Sequence, residues 1–149
     1  MSCSFDSNIL VYTAAPAGEP RRERAWELLE RGMADPRTVL ILQTLGEFSY
    51  ACLRKLRLSA HEVRERIAVW RDVFDVHGAA GEDVELALDA VRDHRLGFWD
   101  ALLWATARRV GVSTLLSEDL QDGRVLAGVR FVNPFDPRND SLVDRSLPP

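Results

Sequence analysis

The chain is poor in the residues from which most zinc, redox and covalent-lysine sites are built. In 149 residues it has two cysteines, Cys3 and Cys52, and three histidines, His61, His77 and His94. None of these falls at metal-ligand spacing, and two cysteines make no disulfide framework. Both thiols are therefore expected to be buried, and the histidines to lie at the surface or in loops. Lysine is scarcer still: of nineteen basic residues all but Lys55 are arginine, so chemistry that needs a lysine has one candidate. No apolar run approaches the roughly 20 residues of a membrane helix. The opening "MSCSFDSNIL" has no basic segment ahead of its short apolar patch. A cytoplasmic protein without a membrane span is the expectation.

What the chain does contain is enough apolar residue to fold. It is 46% hydrophobic and 28% charged, a composition that offsets the entropy of ordering and predicts one globular domain with one core. The net charge of −4 argues against a molecule coated in positive potential. Acids gathered in one cleft would lower that total without removing a basic rim.

Hydrophobic periodicity supplies the elements. "SCSF" reads as a short buried strand ending near Asp6, followed by a helical stretch through Ile9, Leu10 and Tyr12. Residues 20–33 carry Trp26, Leu29 and Met33 at helical spacing behind Pro20. "TVLIL", 38–42, is a second strand, and "QTLGEFSYACLRKL" a helix with Leu45, Phe48, Cys52 and Leu56 on one face. "SAHE" is a capping box, Ser59 with Glu62, opening a helix that buries Val63, Ile67, Trp70 and Phe74. "DVHG" is a minimal strand, and 82–95 and 98–110 are helices, the latter stopped by Gly111. "STLLS", 113–117, and "VRFVNPF", 129–135, complete the strands. Residues 136–149 have too few apolar residues to pack, and a fraying tail is expected there. Trp26, Trp70 and Trp104 fall on core stripes, and Trp99 is expected to pack against the core or a partner. Short buried strands alternating with helices predict an α/β three-layer domain around a short parallel sheet.

Four acids then draw notice, although each has an ordinary explanation. Asp6 can cap the helix beginning at Ser7. Glu47 can close a capping box with Thr44. Asp100, in "GFWDALLWATARR", meets the positive end of its helix dipole, and Asp119 can close the turn in "LLSEDLQDG". Topology joins them. In a parallel sheet Asp6 and Asp119 follow strands and lie along the C-terminal edge. The helices carrying Glu47 and Asp100 both have their first turns at that same edge, where open α/β sheets hold ligands. Two carboxylates about 4 Å apart repel by roughly 1 kcal/mol in water and about 4 kcal/mol at an effective dielectric of 20. Such a group calls for a counter-charge, and an all-oxygen set favours Mg²⁺ or Mn²⁺. That chemistry suits metal-assisted hydrolysis of a phosphodiester.

These residues also resemble a known family. "FDSNILVY" resembles the opening Asp-Ser/Thr-Asn motif of PIN domains, with Asp6 and Asn8. "TLGEF" is similar to the second acidic motif, "FWDALLWATAR" to the third, and "LLSEDL" to the last, with Ser117 and Asp119. The motifs run in the family's order over about residues 3–135. The resemblance implies a PIN-like nuclease domain over 1–135, with 136–149 as a flexible C-terminal tail. A single domain of this size resembles the VapC-type toxins of bacterial toxin–antitoxin pairs. It thus implies a Mg²⁺- or Mn²⁺-dependent endoribonuclease acting on RNA, a homodimer, and a cognate antitoxin covering the acid pocket. Asp6, Glu47, Asp100 and Asp119 would be the catalytic and metal-binding quartet, with Asn8 and Ser117 as supporting residues. Asp122 stands as an alternate fourth acid.

Two other function classes share parts of this pattern. One is a PIN-like binding module that acts through a protein or RNA partner and does not cut, against which the intact quartet argues. The other is a receiver-type phosphoacceptor, which wants a lysine after a late strand; Lys55 comes too early. The runs Arg54–Arg57, and Arg21, Arg22 and Arg24, fit solvated helix faces better than a phosphate track.

Overall fold

The computed structural model describes residues 2–149. Strand β1 (Cys3–Phe5) leads into α1 (Ser7–Ala14) and α2 (Arg22–Ala34). Then come β2 (Val39–Ile41), α3 (Leu42–Arg54), α4 (Ala60–Val73) and β3 (Asp75–His77). Helices α5 (Gly81–His94) and α6 (Phe98–Arg109) precede β4 (Thr114–Leu116), β5 (Val125–Leu126) and β6 (Val129–Val132). A 3₁₀ turn (Pro137–Asn139) and α7 (Asp140–Ser146) end the chain.

The sheet runs β1-β4-β6-β5, with β1, β4 and β6 parallel and β5 antiparallel at the edge. The parallel pair β2-β3 lies alongside, joined by a single bridge from Thr38 to Cys3. Because side chains alternate across a strand, neighbouring residues feed opposite faces. Leu116, Val132 and Leu40 pack with Phe5, Leu28, Phe48 and Trp70, under α1 to α4 and α7. Leu115, Phe131 and Ile41 pack with Leu103 and Trp104, under α5 and α6. The expected single core is thus two, one on each face, and the α/β three-layer expectation holds.

Local chemistry explains the boundaries. Ser59 and Glu62 form the expected capping box at the start of α4. Gly32 lets α2 approach β1: a Cβ there would lie 2.7 Å from the Phe5 ring. Helix α6 is buried continuously from Ala101 to Ala107, as an interior helix segment is, and its one polar side chain in that run, Thr106, donates to Leu102 O. Trp104 also donates its Nε1–H to Leu126 O at 3.0 Å. Trp70 is buried, Trp26 half-buried, and both cysteines are buried and free. Burial pushes the Cys3 thiol up to about 12, which leaves it an inert packing group. His61 and His94 are exposed, whereas His77 belongs to β3, half-buried opposite Ile41.

Three further features differ from the sequence reading. Helix α3 begins at Leu42, so Thr44 is already inside it and donates to Ile41 O rather than capping. The hairpin β5–β6 escaped the periodicity because β5 has two residues. Its turn, Ala127-Gly128 with φ of 45° and 87°, has the left-handed pair that two-residue hairpins require. The third concerns 136–149, which pack instead of fraying. Asp136 caps the 3₁₀ turn through Arg138 N and Pro137 stands at its start, a helix-opening signal present in "DPRND". Val143 and Leu147, four apart, are fully buried in the first core. Arg24 and Arg31 of α2 hold Asp140 at 2.9 Å and Asp144 at 2.8 Å.

On the opposite face, Asp83 of α5 is 2% exposed and accepts from Ala80 N and from Arg109 Nε at 2.9 Å. Arg109 also donates to Gly78 O at 2.7 Å, tying the end of α6 to the end of β3. Two outcomes follow for equilibrium urea unfolding. Leu147→Ala is expected to cost about 2 kcal/mol by loss of a fully buried side chain, whereas a tail that frayed would show no change. Arg109→Ala is expected to cost about 3 kcal/mol, because it strands a buried carboxylate.

Candidate active site

Four of the anticipated acids come from four different elements. Asp6 leaves β1 and caps α1, its Oδ1 accepting from Ser7 N at 2.7 Å. Its own N–H donates to Leu116 O at 2.8 Å, which continues the β1–β4 ladder one step past the strand. Ser117, the next residue after β4, donates its hydroxyl to Asp6 Oδ2 at 2.6 Å. The same Ser117 Oγ accepts from the N–H groups of Asp119 and Leu120, at 3.1 and 3.3 Å, and so shapes the turn that carries Asp119. Asn8 Nδ2 reaches Asp119 Oδ2 at 3.1 Å, Ser117 Oγ at 3.3 Å and Asp6 Oδ2 at 3.4 Å. The two supporting residues read from the sequence thus bridge the first and last acidic motifs.

Glu47 sits one turn into α3. Ser7 donates its hydroxyl to Glu47 Oε2 at 2.9 Å, and Gln43 Nε2 donates to Oε1 at 2.6 Å and to Trp99 O at 2.9 Å. Gln43 therefore links Glu47 to the backbone beside Asp100. Sequence reasoning missed it, although Gln43 stands four residues before Glu47, the spacing at which helix side chains meet. Ser7 was present in the first motif without an assigned role. Asp100 occupies the first turn of α6, half-buried. Trp99 beside it is 64% exposed and touches Phe98 edge-on, so of the core and a partner, the two contacts expected for it, it does not make the first.

Burial and the charges of the neighbouring acids both act on these groups. Burial raises the Asp6 carboxyl to about 6 against the lowering by its Ser117 and Ser7 donors, and the Glu47 and Asp100 charges raise it further. Asp100 is likewise raised, by burial first and then by Glu47 and Asp119. Carboxylates that hold one another toward protonation form a site short of positive charge. Among the described residues no three Asp, Glu, His or Cys side chains are grouped to enclose a metal ion as they stand. The donor set is nonetheless all oxygen, and Asn8 Oδ1 and Gln43 Oε1 are buried there without a hydrogen-bond partner. Both features suit a hard cation such as Mg²⁺ or Mn²⁺.

The alternate acid is set apart from this group. Asp122 accepts from Asn133 N at 2.8 Å and from Asn139 Nδ2 at 2.9 and 3.0 Å, so its carboxylate is spent on joining the β6 exit to the C-terminal 3₁₀ turn. Glu118 is also turned away, paired with Arg21 Nε at 2.5 Å and accepting from the Tyr12 hydroxyl.

Comparison with known proteins places the fold. The chain is similar in structure to VapC20 of Mycobacterium tuberculosis, a toxin that cleaves the sarcin-ricin loop, with 21% identity, TM-score 0.63, and 76% of this chain and 87% of that one covered. It is also similar to a toxin–antitoxin complex from Klebsiella pneumoniae, with 20% identity, TM-score 0.66, and 91% and 99% covered. DNA-bound VapBC from Salmonella typhimurium shares 16% identity at TM-score 0.61, with 88% and 96% covered. Among curated proteins none matches. A family model described as PIN domain matches residues 4–125, from β1 through the acidic turn and into β5. With that span matched and the fold of VapC toxins around it, the chain belongs to the PIN domain family.

Proposed function

We propose that this protein is a Mg²⁺- or Mn²⁺-dependent endoribonuclease, the toxin of a toxin–antitoxin pair, cytoplasmic and homodimeric, with a cognate antitoxin as its protein partner. The observation that carries this reading is the convergence of Asp6, Glu47, Asp100 and Asp119 at one sheet edge, two of them held toward protonation by burial and by their neighbours. Similarity to a sarcin-ricin loop cleaving toxin and to toxin–antitoxin complexes supports the substrate class and the partner.

In this reading the four carboxylates hold the cation, and the remaining residues hold the carboxylates. The chemistry supplied by such a cation is Lewis-acid activation of water and neutralisation of charge on the phosphodiester. Ser7 keeps Asp6 and Glu47 in one orientation by donating to both sides of the cluster, through its N–H and its hydroxyl. Ser117 does the same for Asp6 and for the turn bearing Asp119. Gln43 limits the rotation of Glu47, and the dipole of α6 favours the ionised form of Asp100 against the charge of its neighbours.

Purified protein incubated with total RNA and Mn²⁺ is expected to cut it. Asp100→Asn is expected to slow cutting by at least about 100-fold, the scale lost when one electrostatic element is removed. If wild type cuts no RNA and calorimetry detects no divalent-cation binding, the chain is a non-cutting PIN-like module. Stability reports on the same cluster. Because the Asp6 carboxyl is raised to about 6 in the fold, stability present at low pH is lost as pH rises through that value. Asp6→Asn is therefore expected to raise the melting temperature of the metal-free protein by about 3 °C above pH 6. The gain should narrow toward pH 4, and Mg²⁺ should stabilise wild type more than the variant; scanning calorimetry over pH checks both.

A further inference from the structure

Beside the carboxylates lies a cleft of about 340 Å³, lined by Ser7, Asn8, Tyr12, Lys55, Glu118 and Asp119 among others. Three of these residues belong to the carboxylate cluster, so the cleft is continuous with it. Lys55, the single lysine of the chain, is the only cation among its described lining residues. It is exposed at the C-terminal end of α3, its backbone N–H bonded to Ala51 O at 2.8 Å. Among the described residues no carboxylate lies within ion-pair distance of its ammonium. Several arginines are ion-paired, Arg24 with Glu27 and Asp140, Arg31 with Glu27 and Asp144, Arg37 with Asp35, and none of the others lines this cleft. Lys55 is set apart by its place in the cleft, where its ammonium is available to a ligand.

The other charge in the cleft is arranged not to oppose an anion. Glu118 faces Arg21 Nε at 2.5 Å and takes the Tyr12 hydroxyl proton as a hydrogen bond, while the Arg21 guanidinium stacks 5.6 Å from the Tyr12 ring centre and 5.9 Å from that of Phe135. Glu118 is thereby neutralised, leaving Asp119 at the cluster and Lys55 as the free charges. A polyanion with one phosphodiester at the acids must leave the cluster by some route, and this cleft offers one that is attractive to its next charge.

Resting on the ribonuclease reading above, we propose that Lys55 is a substrate-positioning residue that holds a backbone phosphate adjacent to the scissile one, with a single-stranded RNA segment lying in the Tyr12–Lys55 cleft. The contact is electrostatic and independent of base identity. It strengthens ground state and transition state alike, so its loss acts on KM and leaves kcat.

The test measures binding of a fluorescein-labelled single-stranded RNA of mixed sequence by anisotropy over a range of salt, in the Asp100→Asn background to prevent cutting. Cleavage kinetics are followed in parallel with Asp100 restored. Lys55→Ala is expected to weaken binding roughly three- to tenfold, to lower the slope of log K against log salt by about 1, and to raise KM at unchanged kcat. Lys55→Arg is expected to restore all three. Unchanged binding and slope in Lys55→Ala, with wild type still cutting RNA and Asp100→Asn cutting far more slowly, overturns the role of Lys55 alone. A fall in kcat without a change in KM or slope overturns it equally. No RNA binding at any salt by the chain with Lys55 intact, and no cutting by wild type, overturns this inference together with the ribonuclease reading.

Discussion

Phe5 stands opposite Leu116, and Leu116 opposite Val132, in three parallel strands that all end at one edge. That register is the constraint on which the rest depends. It carries Asp6 and Ser117 out of the sheet side by side, where one 2.6 Å hydrogen bond joins residues 111 positions apart in the chain. A slip by one residue would move Asp6 to the opposite face and swap the two cores, since Leu115 and Leu116 serve opposite sides of the sheet. The two buried layers therefore enforce the position of the acids more strongly than any contact the acids make themselves.

Holding four carboxylates together opposes folding, and the structure offsets part of that cost locally. Ser7, Asn8, Gln43 and Ser117 each donate to carboxylate oxygens in the cluster. The donors are neutral, so they orient the acids without cancelling their charge. The cations that make structural ion pairs do so elsewhere, Arg24 and Arg31 with α7 and Arg109 with buried Asp83. An acidic pocket left without its own cation is suited to recruiting one from solution, and the interior run Ala101–Ala107 behind Asp100 gives that pocket a rigid wall.

Most of the architecture was readable because its signals are local. The capping box of Ser59 and Glu62, the apolar runs around Phe5, Leu40 and Leu115, and the stop at Gly111 each need only a few neighbouring residues. The failures share the opposite property. Two-residue β5 has no period to detect, and α7 with its C-cap has only Leu142, Val143 and Leu147 to bury; its place depends on Arg24 and Arg31, far away in sequence. Thr44 satisfied the spacing of a capping box, yet α3 starts two residues earlier, because β2 runs directly into it without a linker.

Sequence alone determined the family of motifs, the alternation of strand and helix, and the placement of four acids along one sheet edge, since residue type and chain order are enough to infer that edge. Tertiary structure decided what each polar group does there. It turned Asp122 toward Asn133 and Asn139, bound Glu118 to Tyr12 and Arg21, made Gln43 a brace for Glu47, and left Lys55 facing the cleft without an acid partner. The reason is range. Helix and strand periodicity act over a few residues, whereas the direction of a hydrogen bond is settled by groups that meet only when the chain has folded.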